Sequence, residues 1–271
     1  MEIGISTASF FNKMLNEDAV TDIGRHGVKL CEAFLNTFSE YTPAFADLMK
    51  ERADAHGITY YSVHPQSPQF EPQLFSIHPR QRADALEIYD RVLTAGETLG
   101  ARVYVMHGAA TLNGAVKNME LARIAPIFVE LTERAATHGL TLALESVSWC
   151  ICCTPDFVTA LREATGDRMH FTLDIKQCVR AGYDPLRFLD AMGDRLVNVH
   201  LCDVERTPEG RWRWRMPGEG TYDFAGLFER LADMGYQGPA FVEVYSDMYT
   251  DMAELYGARD WLLGQLPRGN H

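Results

Sequence analysis

Residues 121–145 read LARIAPIFVELTERAATHGLTLALE, and this stretch contains the pattern that decides the fold. Apolar residues recur with helical period over 121–135, although Pro126 either kinks this segment or marks its true start. Gly139 then supplies the left-handed residue that commonly ends a helix. The apolar run at 140–145 is typical of a strand covered on both faces by helices. The stretch therefore predicts a helix followed by a buried parallel strand.

The same order of periodic helix, glycine and apolar run repeats along the rest of the chain. Thr154-Pro155-Asp156, for example, predicts a helix start, because a hydroxyl caps the helix and proline fits its first position. The predicted strands are 3–7, 28–32, 58–64, 101–107, 140–145, 169–174, 195–200 and 240–243.

Eight strands that alternate with helices, without a Pro/Gly/Ser-rich linker, predict an α/β chain folded as a single (β/α)8 TIM barrel. We expect one domain that spans 1–271. A doubly wound open sheet is the alternative. That fold would more often carry a Gly-rich turn after its first strand, and Ser6-Thr7-Ala8-Ser9 is not such a turn.

Composition narrows the class of protein. Hydrophobic residues make up 46% of the 271 residues and charged residues 23%, which argues against a disordered or fibrous chain. The net charge of −12 disfavours a protein that binds phosphate backbones. The first residues lack a basic leader, and no apolar run reaches the ~18 residues of a membrane span, so we expect a cytoplasmic protein without membrane contact.

Six cysteines are too few for a disulfide scaffold, and Cys150, Cys152 and Cys153 are expected to be buried or loop thiols.

The ends of the predicted strands carry polar groups. Chemistry in a barrel gathers at the carboxyl ends of its strands, so these side chains are expected to face one cavity. Unpaired carboxylates there would repel each other, and a cation would resolve the conflict. Three carboxylates with one imidazole, from Glu145, Asp174, His200 and Glu243, would suit Mn²⁺, Mg²⁺ or Co²⁺ and could take Zn²⁺. The strand-end residues are Glu32, His64, His107, Glu145, Asp174, His200 and Glu243.

A set of motifs resembles the xylose-isomerase-like barrels, a family that includes sugar-phosphate isomerases, ketose 3-epimerases and endonuclease IV. The resemblance covers nearly the whole chain, in order, and the motifs are specific as a set although each is weak alone. They are Leu142-Ala143-Leu144-Glu145, Leu173-Asp174-Ile175-Lys176-Gln177, Val199-His200-Leu201-Cys202-Asp203, Pro217-Gly218-Glu219-Gly220 followed by Asp223-Phe224, and Val242-Glu243.

The resemblance implies that Glu145, Asp174, His200 and Glu243 hold one divalent metal ion, with Mn²⁺ preferred and Mg²⁺, Co²⁺ or Zn²⁺ as the other options. It also implies that Glu145 and Glu243 move the proton, one on each face of the sugar. Arg206 falls where the 3-epimerases place an arginine near the substrate oxygens, and a solvated loop arginine is the alternative.

Four further residues are expected to bind substrate, namely His64, His107, Lys176 and Gln177. The two histidines stand where endonuclease IV binds its first zinc, so a second metal at His64 and His107 stays open. Gln177 replaces a histidine that the nuclease and the epimerases carry. Arg211-Trp212-Arg213-Trp214-Arg215 replaces the nuclease's Asp-X-His pair, so its third zinc would have no ligands here.

The interleaved arginines and tryptophans of 211–215 could bind a nucleic-acid strand. With a net charge of −12, a lid over the active site or a subunit contact is favoured instead. We therefore expect a small sugar-like substrate and no nucleic-acid partner. The oligomeric state stays open, with a homo-oligomer as one option.

These residues together predict a metal-dependent isomerase or epimerase. The substrate would be a small sugar, sugar phosphate, sugar acid or cyclitol, and the reaction would pass through a metal-stabilised enediolate. A metal-dependent dehydratase or lyase on a similar substrate would share that step. An endonuclease IV-like phosphodiesterase and a non-catalytic sugar-binding barrel are the remaining alternatives.

Overall fold

Ten strands lie within residues 1–110 and 121–267, the parts of the chain that the computed structural model describes. They are β1 (Ile3–Ser6), β2 (Leu30–Leu35), β3 (Thr59–Pro65), β4 (Val103–Met106), β5 (Thr141–Glu145), β6 (His170–Asp174), β7 (Leu196–Leu201), β8 (Asp203–Arg206), β9 (Trp212–Arg215) and β10 (Ala240–Val242). Eight of them, β1 to β7 and β10, form a closed barrel in which neighbouring strands are parallel. The predicted (β/α)8 architecture is confirmed.

Helices follow the barrel strands and cover them. They are α1 (Asn16–Arg25), α2 (Pro43–His56), α3 (Glu71–Leu74), α4 (Pro79–Leu99), α5 (Leu121–Ala136), α6 (Pro155–Ala164), α7 (Ile175–Arg180), α8 (Pro185–Met192), α9 (Phe224–Asp233) and α10 (Met252–Leu263). Thr154 caps α6 as predicted, because its side chain accepts a hydrogen bond from the backbone N–H of Phe157. Helix α5 contains Pro126, so this proline does not mark its start.

The second strand differs from its prediction. The sequence predicts this strand at 28–32, but β2 runs over Leu30–Leu35 and pairs with β3 as far as Pro65. A register shift between Cys31 and Glu32 interrupts the pairing, and the apolar residues after Glu32 continue the strand. Glu32 therefore lies in the middle of β2, inside the barrel, and the expectation that it ends the strand is wrong.

Strands β8 and β9 form an antiparallel hairpin outside the barrel, directly after β7. This hairpin contains most of the arginine and tryptophan stretch at 211–215. None of the described helices has the length and apolar character of a membrane span.

All six cysteines are free thiols; Cys150 and Cys152 are buried and Cys153 is half-buried. The single domain over 1–271 stays a prediction, because 111–120 and 268–271 lie outside the described residues.

Candidate metal centre

Four side chains meet at the carboxyl end of the barrel. Glu145 ends β5, Asp174 ends β6, His200 is the next-to-last residue of β7, and Glu243 follows β10. One ligand atom from each lies within 4.8 Å of those from the other three, and all four residues are buried. These four strands are neighbours in the barrel, as expected. The structure therefore brings together the residues that the sequence predicts as metal ligands.

The local structure orients the Asp174 carboxylate. Asp174 caps α7, and its Oδ1 accepts a hydrogen bond of 2.7 Å from the backbone N–H of Gln177. Its own backbone N–H donates to Ser146 Oγ at 3.0 Å. Because Oδ1 is used in this cap, Oδ2 is the oxygen left for the cluster, and the pairing of Asp174 in register with His200 on β7 brings the two residues side by side.

Two oxygens of this cluster test whether a cation fits. Asp174 Oδ2 and Glu243 Oε2 are buried, and neither has a hydrogen-bond partner within 1–110 and 121–267. The Nδ1 atom of His200 lies 3.9 Å and 3.3 Å from these two oxygens, and 3.3 Å from Glu145 Oε1. Buried polar atoms normally have partners, and an ion between these atoms would supply one. A divalent cation that prefers oxygen ligands fits this set.

Lys176 contributes one positive charge to the cluster. Its buried ammonium lies 3.3 Å from Asp174 Oδ2 and 3.4 Å from Glu243 Oε1. Burial alone would lower the pKa of Lys176, but these two carboxylates hold it well above its usual value. Three carboxylates and one ammonium leave two negative charges, which a divalent ion would balance. Without that ion, burial and the neighbouring carboxylates raise the pKa of Asp174 to about 6, although Lys176 opposes the shift.

A fourth carboxylate lies beneath the cluster. Glu32 is completely buried and accepts hydrogen bonds from Ser6 Oγ at 3.0 Å, Ser62 Oγ at 2.7 Å and Asn198 Nδ2 at 3.0 Å. Its Oε2 also lies 3.1 Å from Nε2 of His200. Burial opposes ionisation, but the contact with His200 lowers the pKa of Glu32 to about 2. Glu32 is therefore ionised at neutral pH.

This carboxylate selects one tautomer of His200. If Nε2 were unprotonated, its lone pair would face the Glu32 oxygen at 3.1 Å, and the two acceptors would repel. Nε2 therefore carries the proton and donates it to Glu32. Nδ1 is then the ring atom that faces Glu145 and Glu243. Burial lowers the pKa of His200, but Glu243, Glu32 and Glu145 outweigh it and hold that pKa well above its usual value, so a bound cation would take the place of the Nδ1 proton. Metal-binding histidines are commonly oriented in this way by a carboxylate behind the ring.

His64 and His107 form a second cluster with Glu145. Nε2 of His107 lies 2.8 Å from Glu145 Oε2 and 3.1 Å from Nε2 of His64. A ligand atom from each of the three residues lies within 4.8 Å of the others, so the two clusters share Glu145. Burial lowers the pKa of His64, but the Glu145 carboxylate outweighs it and raises the pKa above its usual value. His64 and His107 therefore face the cavity, as expected.

A cavity of about 600 Å³ opens above the two clusters. Its lining side chains come from the strands, from α7 and from the loops at this end of the barrel. The polar lining residues include His64, His107, Glu145, Lys176, Gln177 and Glu243, and the apolar ones include Phe11, Phe34, Pro68, Trp149 and Tyr245. A mainly apolar cavity with a few convergent polar groups is typical of a small-molecule site.

Comparison with known proteins agrees with this architecture. A family model described as xylose isomerase-like TIM barrel matches residues 18–263. The chain belongs to this family. The match spans α1 to α10, and so it includes seven of the eight barrel strands and every residue of both clusters.

Relatives of this xylose isomerase-like barrel include named epimerases. L-ribulose-5-phosphate 3-epimerase UlaE of Escherichia coli is 28% identical over 195 residues, which are 69% of this chain and 66% of the relative. A D-psicose 3-epimerase structure from Clostridium cellulolyticum, with D-tagatose, has a TM-score of 0.79 at 18% identity, and covers 98% of this chain and 99% of that one. A 3-keto-D-glucoside 4-epimerase structure from Escherichia coli has a TM-score of 0.75 at 19% identity, and the match covers 97% of this chain and 99% of that one. The structural similarities show the shared fold.

Two of the remaining predicted substrate residues line the cavity, and one does not. Lys176 and Gln177 line it, and the side-chain oxygen of Gln177 accepts a 2.7 Å hydrogen bond from Ser148 Oγ. Arg206 is exposed at the end of β8, where its guanidinium lies 5.7 Å from the Trp212 ring centre. It is not a lining residue of this cavity, because β8 carries it away from the barrel into the hairpin.

Some residues of the site were not recognised in the sequence. Glu71, on α3, is completely buried, and its Oε2 accepts hydrogen bonds of 2.9 Å from the backbone N–H groups of His107 and Gly108. Glu71 therefore holds the backbone directly after β4, where His107 lies. Trp149 and Tyr245 line the cavity from loops. No periodicity or spacing indicates these positions, because loop conformation alone brings them to the cavity.

Proposed function

We propose that this chain is a divalent-metal-dependent isomerase or epimerase of a small sugar-like carbonyl compound. One observation carries the proposal. Glu145 and Glu243 both belong to the four-residue cluster and both line the cavity, from strands β5 and β10 that are separated by two other strands. Two carboxylates can thus reach one substrate from different sides.

In the proposed reaction, one of these carboxylates removes a proton from the carbon next to the carbonyl, and a proton then returns to a carbon of the same intermediate. Lys176 and His107 face the cavity and would donate hydrogen bonds to the developing oxygen charge. A bound divalent ion would polarise the carbonyl and lower the pKa of the neighbouring C–H. Glu145, Asp174, His200 and Glu243 would hold that ion, and Mn²⁺ suits the set well.

The names of the relatives support sugar-like substrates, with a ketose phosphate, free ketoses and a keto-glucoside among them. We infer that this chain acts on a small sugar, sugar phosphate, sugar acid or cyclitol. A dehydratase or lyase would begin with the same proton removal and would differ in its product.

Deuterium exchange tests the proposal directly. The metal-loaded protein is incubated in D₂O with a panel of ketoses, ketose phosphates and keto acids, and NMR follows both exchange and product. We expect deuterium at the carbon next to the carbonyl together with an epimer or isomer. Loss of water would assign a dehydratase, and binding without exchange in any compound would assign a sugar-binding barrel.

Metal analysis supplies the next prediction. We expect one tightly held divalent ion per chain, and Asp174→Asn should lose most of it because Oδ2 is a proposed ligand. Asp47→Asn, at an exposed position of α2, is the matched control and should keep the ion. Inductively coupled plasma mass spectrometry after dialysis measures the content. Two tightly held ions per wild-type chain would contradict the prediction and would favour the phosphodiesterase alternative.

The second cluster gives another prediction. His64→Ala and His107→Ala should each lower kcat/KM by about 10–100-fold, because each removes a hydrogen-bonding partner of charged groups in the cavity. Metal content should stay at the wild-type level, since neither residue belongs to the four-residue cluster. His78→Ala, at the exposed residue that precedes and caps α4 outside the cavity, is the control. Loss of the ion in either cavity variant would show that these histidines bind metal.

A further inference from the structure

A groove of about 420 Å³ lies beside the cavity, along the hairpin formed by β8 and β9. Trp212 and Arg213 line one side of it, and Tyr245 and Asp247 line the other. Tyr245 and Asp247 also line the main cavity. The groove therefore adjoins the space above the two clusters, with Tyr245 and Asp247 between them.

The hairpin is anchored to the barrel by one buried side chain. The Asp203 carboxylate accepts four backbone hydrogen bonds, of 2.8–3.0 Å, from the N–H groups of Val204, Gly218, Gly220 and Tyr222. These bonds join β8 to the turn that follows β9. The groove is thus preformed, and a ligand would bind without having to order the hairpin.

Charges within the groove are balanced. Arg213 and Arg215 both contact Glu205 Oε1, at 3.2 Å and 2.8 Å. Two arginines and two carboxylates, Glu219 and Asp247, line the groove itself, so it has no net charge. This balance disfavours a phosphate or a nucleic-acid strand, each of which needs excess positive charge.

Aromatic surface in the groove is accessible. Trp212 is 44% exposed and Tyr245 is 38% exposed. Flat aromatic faces beside hydrogen-bonding arginine and aspartate side chains suit a ligand with an apolar C–H face and hydroxyl edges. A neutral sugar ring has this combination.

We propose that the groove binds a second, neutral sugar ring attached to the keto sugar that occupies the cavity. The substrate class is then a ketose disaccharide or another keto-glycoside rather than a free or phosphorylated monosaccharide. This inference rests on the proposed function for the cavity, while the groove itself is a separate binding site.

Calorimetric titration of the Mn²⁺-loaded protein tests the groove with D-fructose and with lactulose and isomaltulose, in which a hexose is attached to fructose. We expect at least one disaccharide to bind about tenfold more tightly than fructose, because an added stacking contact contributes on this scale. Trp212→Ala should abolish most of that preference and affect fructose much less. Phe38→Ala removes an equally exposed aromatic residue that lies outside both the cavity and the groove, and it should preserve the preference.

Several results would overturn the groove proposal. Fructose and the disaccharides would bind with equal affinity, or fructose 6-phosphate would bind more tightly than both disaccharides. Alternatively, Trp212→Ala would lower the affinity for all the sugars by the same factor. A wild-type dimer that Trp212→Ala converts to monomer in light scattering, without a selective effect on disaccharides, would assign the groove to a second copy of the chain.

Deuterium exchange separates the two proposals. Exchange in fructose without any preference for disaccharides would leave the proposed function standing and remove the groove proposal. Selective disaccharide binding without exchange in any sugar would support the groove as a binding site and contradict the proposed isomerase or epimerase activity. Absence of binding for fructose and both disaccharides would contradict the groove proposal, and the exchange panel would then decide the proposed function by itself.

Discussion

Glu145→Gln and Glu243→Gln are each expected to slow deuterium exchange next to the substrate carbonyl by about 10²–10⁴-fold, because general-base assistance contributes this much to a rate. Glutamine keeps the shape of the side chain but loses the charge that accepts the proton. Exchange from D₂O into a substrate found in the ketose panel is the measurement. Any loss of metal adds to the effect, so metal content is determined for every sample.

Glu51→Gln is the matched control, because Glu51 is an exposed residue of α2 far from the barrel opening. It should exchange at the wild-type rate. Near-normal exchange in both Glu145→Gln and Glu243→Gln, with metal retained, would contradict the assignment of the two carboxylates. Lys176 and His107 would then be the next groups to test.

Glu32→Gln is expected to weaken divalent-metal binding by about 10–100-fold, the usual effect of removing a carboxylate that orients a metal-binding histidine. Glutamine removes the negative charge that accepts the Nε2 proton of His200, so the ring is held less firmly with Nδ1 toward Glu145 and Glu243 and becomes a weaker ligand. Mn²⁺ affinity, measured by competition with a chelator, tests this effect.

Ser62→Ala provides a control within the same network. It removes one hydrogen bond to Glu32 but keeps the carboxylate and its contact with His200. We expect a smaller loss of affinity than in Glu32→Gln. Unchanged Mn²⁺ affinity in Glu32→Gln would contradict this role.

Much of the barrel was determined by local patterns. Apolar runs and helix-ending glycines predict eight buried strands, because a strand between two layers of helices has to be apolar on both faces. Strand ends in a parallel barrel share one opening, so Glu145, Asp174, His200 and Glu243 could be expected in one cluster from their positions alone. The structure brings these four side chains within 4.8 Å of one another.

Other features depended on contacts between distant parts of the chain. Glu32 looks like a strand end in the sequence, but the register shift in β2 places it beneath His200, where it selects the tautomer. Arg206 looks like a cavity residue, but β8 pairs with β9 and leaves it exposed. Local sequence determined the strands and their polar ends, because burial imposes a pattern on neighbouring residues. Only the tertiary structure decided the depth of Glu32 and the direction of β8, because strand register and loop pairing depend on residues far apart in the chain.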